Sequence, residues 1–258
     1  MARVDYDRMA PDYLKGRALP PAGMAPWRDE IARWLPEPED PARRSLVLDL
    51  GAGTGQFAAA IAKWFGVRVV AVEPSRGMRA QAVRANAHPR VAWVAGVAER
   101  LPLRDGSCTL AWVSTVVHHL DDLEAAAAEL GRVLRPGAPV LVRQAFPGRM
   151  EDVTLYTRYF PGAAEFLVVN GGLPTVEQVE AAFAAAGFRV EDLRRVAQVS
   201  ATSLAAYRDK VRLRADTGLR LLTDDQFAAG LAALDQAVEA ETSPAPVVDR
   251  LDLLVLRR

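Results

Sequence analysis

The stretch LVLDLGAGTGQFAAAIAKWFGVRVVAVEPS, Leu46 to Ser75, leaves this chain few ways to fold. An apolar run stops at a loop with glycine at three alternate positions, Gly51, Gly53 and Gly55. A helix-like segment follows, and a second apolar run ends at Glu73. The alternation continues downstream, with strands predicted at 45–50, 67–72, 90–95, 108–114 and 138–145 and helices at 55–65, 75–86 and 121–134. Strands that alternate with helices argue for an α/β, doubly wound, parallel sheet covered on both faces. The strands are short, apolar and rich in valine, as parallel strands buried on both faces should be.

The flanks are less regular. Residues 1–20 read as irregular, PPAGMAPWRDEIARWLP as a helix ending near Pro36, and PEPEDPARR as a proline-broken connector. RPGAP at 135–139 turns the chain from a helix into the fifth strand. The segment that follows carries Met150, Tyr156, Tyr159 and Phe160 and fits no simple period. A helix then starts at a Thr175 cap, carries Glu177 in its first turn and stops at Gly187. A strand is predicted at 188–196, a mostly helical region at 201–242 and a last strand in VVDRLDLLVLRR. With 258 residues, half of them apolar, the chain suits a single domain over 1–258. Its nucleotide-binding core lies at about 45–145, with covering elements at about 1–36, 146–173 and 201–242.

Composition narrows the partners. Thirty-two basic residues balance 32 acidic ones, so no global field draws the protein to nucleic acid or to an anionic membrane. The single Cys108 can form neither an internal disulfide nor a cysteine-based zinc site, which fits a reducing cytoplasm. The polar opening does not read as a signal peptide, and no apolar run approaches the roughly 20 residues that span a bilayer.

Glycines between strand and helix admit positive φ and close approach of a ligand to the backbone, at the carboxyl end of the strands where open α/β sheets bind ligands. The dinucleotide fingerprint G-x-G-x-x-G is broken, because Gln56 stands where its third glycine would be. No Lys-Ser or Lys-Thr pair follows, so a phosphate-cradling P-loop is absent too. Glu73, twenty residues beyond Gly53, can accept from ribose hydroxyls, a role that also fits dinucleotides.

Five stretches in order carry a resemblance: VLDLGAGTGQF, VVAVEPS, VAGVAERLPLRDGS, VSTVVHHLDD and ELGRVLRPGAPVLV. Together with the opening YDRMAPDYLKGR, the chain resembles the class I S-adenosylmethionine-dependent methyltransferases, in particular their small-molecule branch, most densely from about 45 to 145. The resemblance implies a Rossmann-like sheet of about seven strands with the last antiparallel, and S-adenosylmethionine as cofactor with S-adenosylhomocysteine as product. It places the backbone of Gly51, Ala52 and Gly53 at the methionine part, Glu73 at the ribose, Pro74 and Met78 beside the adenine, Ala98 at its edge and Ser114 beneath the sulfonium. Tyr6, Tyr13 and Arg17 match positions that close over the cofactor, with Arg17 facing its carboxylate. The sequence departs from the family at Val97, where an Asp usually holds the adenine amino group, which leaves that contact to backbone or to Glu99. It departs again at Cys108-Thr109 and Gly137-Ala138, where the family has Phe-Asp and Gly-Gly.

Methyl transfer from a sulfonium needs alignment, exclusion of water and, for some acceptors, a base, but no metal. No metal-ligand spacing stands out. His119 and His118 follow the fourth strand at the crevice and are the candidate bases, His119 preferred; a positioning role for either stays open. Other users of the same loop are a non-methylating enzyme that performs, for example, a cyclisation, and a nucleotide-sensing module. An NAD-dependent oxidoreductase is disfavoured by the glycine spacing. The expected partner is a small-molecule acceptor, not nucleic acid or membrane, for a monomer or homodimer.

Overall fold

The computed structural model describes residues 5–36, 45–163 and 173–258. Two helices come first, α1 (Tyr6–Arg17) and α2 (Pro21–Trp34). Then β1 (Leu46–Leu50), α3 (Gln56–Phe65), β2 (Arg68–Val72), α4 (Arg76–Ala85), β3 (Val91–Val94), β4 (Leu110–Ser114), α5 (Leu123–Val133) and β5 (Pro139–Gln144) alternate as the sequence predicts. Beyond them lie α6 (Val176–Ala185), β6 (Arg189–Ala201), α7 (Leu204–Val211), α8 (Asp224–Ala240) and β7 (Val247–Arg257). The seven strands form one sheet in the order β3-β2-β1-β4-β5-β7-β6, with β7 antiparallel to both of its neighbours. This is the doubly wound, Rossmann-like arrangement expected from the sequence.

Alternation along each strand feeds two cores. Val47, Val69, Leu110, Trp112, Leu141 and Leu253 face one side, where Trp27 and Ile31 of α2 and Ile61 of α3 pack on them. Leu48, Val70, Ala111, Val140 and Leu254 face the other side, against Leu130 of α5 and Phe183 of α6. Each such side chain removed from water contributes roughly 1.5–3 kcal/mol, which is what holds helices of modest intrinsic propensity on the sheet. Ser75, Asp122 and Thr175 cap α4, α5 and α6 by accepting backbone N–H bonds.

The glycine spacing of the first loop has a packing cause. Gly55 caps α3 at φ +80°, and a Cβ there would lie 2.1 Å from the Trp93 ring of β3. Gly51, at φ +65°, would set a Cβ 2.4 Å from Val116. Gly51 and Gly55 therefore let the loop pack closely on Val116 and on Trp93 of β3, whereas a Cβ at Gly53 would meet only Tyr13 at 3.7 Å.

Two sequence expectations need correction. Residues 1–20 are not irregular: α1 forms despite Pro11 and Gly16, because Asp5 caps its first turn and its Met9 and Ala10 bury against Met78 of α4. The strand predicted at 188–196 runs on to Ala201, paired along the whole of the 11-residue β7, with register shifts at Val190/Asp192 and Val199/Ala201. The expected covering segment 146–173 is described as far as 163, and the connector at 37–44, residues 164–172 and the side chain of Tyr156 lie outside the described residues.

Candidate functional site

A cavity of about 210 Å³ opens at the carboxyl ends of β1, β4 and β5. Tyr6, Tyr13 and Arg17 of α1 roof it, and Gly51, Ala52 and Gly53 form one wall. Ser114, His118 and His119 follow β4, while α7 contributes Tyr207 and Lys210. Residues 198–201 of β6, beyond the length predicted, bring Gln198 and Ser200 to the rim, opposite Asp249 of β7.

The loop after β4 is bent by Thr115, which holds φ +55° and hydrogen-bonds its backbone N–H to the Arg143 carbonyl at 2.8 Å. A left-handed non-glycine residue costs roughly 1–2 kcal/mol, and here it turns the chain so that Val117–His119 form a single 3₁₀ turn at the cavity. The two histidine rings lie 3.8 Å apart, centroid to centroid. Burial, the neighbouring His119 and Arg17 hold His118 well below the usual imidazole pKa, so it is neutral at pH 7. His119 Nε2 lies 2.6 Å from the Tyr6 hydroxyl. Burial and the nearby Tyr13 raise the Tyr6 pKa, so the phenol keeps its proton.

Asp49, on β1 just before the glycines, was not singled out in the sequence. It is 2% exposed, and its Oδ2 has no hydrogen-bond partner. Burial and then the Glu73 carboxylate push its pKa up to about 8, against a bond from the Ala58 backbone that favours the anion. A carboxyl group in that state gains a proton partner or a cation readily. Arg143, on β5, was missed as well. Burial above all, and then the like charge of Arg17, bring its pKa down to about 9. Burial and Arg17 also lower Lys210, to about 8, while its Nζ donates to the Ala18 and Ser200 carbonyls. Arg17 itself pairs with Asp216 at 2.5 Å.

Of the expected cofactor residues, Tyr13, Arg17, Gly51, Ala52, Gly53 and Ser114 meet in the cavity with His118 and His119. Glu73, Pro74, Met78, Val97, Ala98 and Glu99 lie outside its lining, beyond the glycine loop. Glu73 accepts from the Gly53 and Ser75 backbone N–H groups, 2.9 Å each, which ties the ends of β1 and β2 together. Met78 is buried under Met9 and Ala10, and Asp7 of α1 accepts from Ser75 Oγ and Gly77 N on the first turn of α4. Val97 is 41% exposed and bridges to Arg100. Glu99 accepts from the backbone of Asp121 and Asp122, so its carboxylate braces the start of α5 rather than reaching the cavity. At the other end of α1, the Gln56 amide holds both the N–H and the carbonyl of Leu19, at 3.0 and 2.8 Å. Among the described residues no group of three or more His, Cys, Asp or Glu side chains could hold a metal ion.

The family model of a methyltransferase domain matches residues 48–142, from β1 to β5. Over these residues the chain is similar to a methyltransferase domain. The matched stretch holds the glycine loop, Glu73 and the histidine pair, whereas α1, α7, β6 and β7 lie beyond it. A demethylmenaquinone methyltransferase of Chlorobaculum tepidum is 29% identical over 157 residues, 60% of this chain and 64% of that protein. Its counterpart from Beutenbergia cavernae is 41% identical over 98 residues, 38% of this chain and 40% of the relative. The chain therefore spans less than two thirds of the length of these curated relatives. A crystal structure of a putative methyltransferase from an antibiotic biosynthesis pathway of Anabaena variabilis superposes with a TM-score of 0.68 at 24% identity, covering 88% of this chain and 96% of that one. At that identity the likeness is one of fold.

Proposed function

We propose that this chain uses S-adenosylmethionine to methylate a small-molecule acceptor at O, N or C, releasing S-adenosylhomocysteine. The observation that carries the reading is the methyltransferase match to residues 48–142, whose glycine loop walls the cavity beside the unpartnered Asp49 oxygen. The residues present fit such a cofactor. Backbone at Gly51, Ala52 and Gly53 leaves room for its methionine part, Asp49 suits its ammonium, and Arg17 supplies positive charge for its carboxylate. Each Glu73 oxygen takes one backbone bond and keeps a lone pair for a ribose hydroxyl. Pro74, Met78, Val97, Ala98 and Glu99 remain the proposed adenine-side residues, reached when α1 moves off α4, and Ser114 the residue beneath the sulfonium.

When bound, the cofactor supplies an electrophilic methyl group with a neutral thioether as leaving group. The protein's part is to align the acceptor and to exclude water, which α1 does as a roof. His119 is the proposed base for an acceptor that must lose a proton, oriented by the Tyr6 hydroxyl, while neutral His118 packs behind it. We take 1–258 as one functional unit in which 1–36, 146–173 and 201–242 cover the cofactor and shape the acceptor pocket. A cytoplasmic monomer or homodimer without nucleic-acid partner fits the balanced charge and the single buried Cys108. No helix among the described residues is long and apolar enough to cross a membrane.

Calorimetric titration with S-adenosylmethionine, S-adenosylhomocysteine and NAD tests the reading, on wild type and Glu73→Ala. The expected result is micromolar binding of the two sulfur nucleotides, no binding of NAD, and a loss of at least about tenfold in the variant, with its fold checked by thermal melting. Binding of NAD alone, or of none of the three, would refute it.

A further inference from the structure

Arg143 is the most unusual residue in the cavity. It sits in the apolar strand PVLVRQ with 6% of its surface exposed. A guanidinium offers five N–H donors. Nη1 donates to Ser114 Oγ at 3.0 Å and Nη2 to Gln198 Oε1 at 2.6 Å, while Nε has no partner. Among the described residues no carboxylate lies within ion-pair distance of it, which is rare for a buried arginine because the charge is then uncompensated. The group is nevertheless held firmly. Its Cζ lies 4.9 Å from the Trp27 ring centroid and 5.6 Å from that of Phe57. Gln198, which receives it, is fixed in turn by the Trp27 indole N–H at 2.9 Å and by Ser200. The neighbouring charges are otherwise committed. Arg17 pairs with Asp216, Asp249 accepts from Ser200 and from the Thr154 backbone, and burial and then Glu73 raise the Asp49 pKa, which disfavours its anion.

Position decides which ligand this group meets. The glycine loop leaves β1 and Glu73 ends β2, so the proposed nucleoside lies over β1 and β2. Arg143 ends β5, separated from β1 by β4, or about 10 Å at the usual strand spacing, on the side away from Glu73. Gln198, Ser200 and Asp249 come from β6 and β7, farther still from the nucleoside side. We infer that Arg143, oriented by Gln198 and Ser114, is the specificity-determining residue for an acceptor that carries a carboxylate. The planar fork between two aromatic rings suits a planar oxyanion, and a carboxylate would use the donors that Ser114 and Gln198 leave over. The inference rests on the methyltransferase reading, which makes this half of the cavity the acceptor half.

The test uses the full chain and simple probes. Protein saturated with S-adenosylhomocysteine is titrated with benzoate, octanoate and their amides, and binding is read by ligand-observed NMR. Wild type should bind at least one carboxylate about tenfold or more tightly than its amide. Arg143→Gln should bring the pair within about twofold while its affinity for S-adenosylhomocysteine changes less than about threefold, and Arg143→Lys should keep part of the preference. The lysine variant guards against simple misfolding of the glutamine variant. Loss of S-adenosylhomocysteine binding in Arg143→Gln, with no carboxylate preference in wild type, would overturn the inference and assign the guanidinium to the cofactor's own carboxylate. Equal binding of acids and amides with unchanged nucleotide affinity would overturn it as well. If S-adenosylhomocysteine does not bind wild type at all, the methyltransferase reading fails. A carboxylate preference measured without it would then mark an anion pocket and refute the assignment to a methyl acceptor.

Discussion

Replacing Asp49 by Asn tests the electrostatics of the cavity directly. The carboxyl is pushed from 3.8 to about 8, chiefly by burial and then by Glu73. Between these values the folded protein binds one proton more than the unfolded chain, so stability falls as pH rises. The loss begins near pH 4 and is complete above pH 8. Within the window its slope is about 1.4 kcal/mol per pH unit, so from pH 5 to pH 7 this one group removes up to about 2.7 kcal/mol. The side-chain amide of the Asp49→Asn variant does not titrate, and any fixed cost it brings cancels when the two pH values are compared. Urea unfolding of both proteins at pH 5, 6, 7 and 8 measures the difference. For a chain of this size, with a slope of about 3 kcal/mol/M, the midpoint of the variant should gain close to 1 M on that of wild type between pH 5 and pH 7. A difference that stays constant within about 0.5 kcal/mol across the series would mean that Asp49 is ionised in the folded protein. The reading of Asp49 as a carboxyl that burial keeps protonated would then fail.

Two further perturbations follow from local geometry. Gly55→Ala should lower stability by about 3 kcal/mol, combining the left-handed backbone with a collision against Trp93, whereas Gly66→Ala, which meets nothing within 4 Å, should cost only about 1 kcal/mol; equal losses in urea titrations would refute the packing account of the loop. Asp7→Ala removes the acceptor of Ser75 Oγ and Gly77 N, so α1 should leave α4 more often, and limited trypsin digestion at Arg8, Lys15 and Arg17 should quicken while the remaining core resists. Unchanged digestion would place the anchorage of α1 in its Met9 and Ala10 contacts instead.

The central sheet was legible because its strands are apolar on both faces and its turns are marked by glycine and proline. What stayed hidden was polar. Polar residues dominate α1, and Pro11 and Gly16 interrupt it, so local propensity argued against a helix that tertiary contacts to Met78 secure. The end of β6 reads Val196, Gln198, Ser200 on one face, which looks like a strand surfacing into solvent; all three are buried, because Trp27 and Asp249 satisfy the two polar groups. The histidine pair and Glu73 were recognisable from their place after β4 and β2. Arg143 carried a signal that went unread, a lone charge inside VLVRQAF, where a doubly buried strand offers it no water. Glu73 and the five adenine-side residues lie apart from the cavity lining; α1 docks over Met78 and the first turn of α4, and no spacing in the sequence encodes that docking.

Gln56, the residue that breaks the dinucleotide spacing, is also the clasp on Leu19. By gripping both polar groups of one peptide position between α1 and α2, it anchors the joint and leaves α2 seated on the sheet with Trp27 behind Arg143. A swing of α1 about that anchored joint would uncover the nucleoside side while the wall behind the guanidinium stays still. On the proposed reading, exchange of spent cofactor and residence of the acceptor would be governed by different parts of the chain.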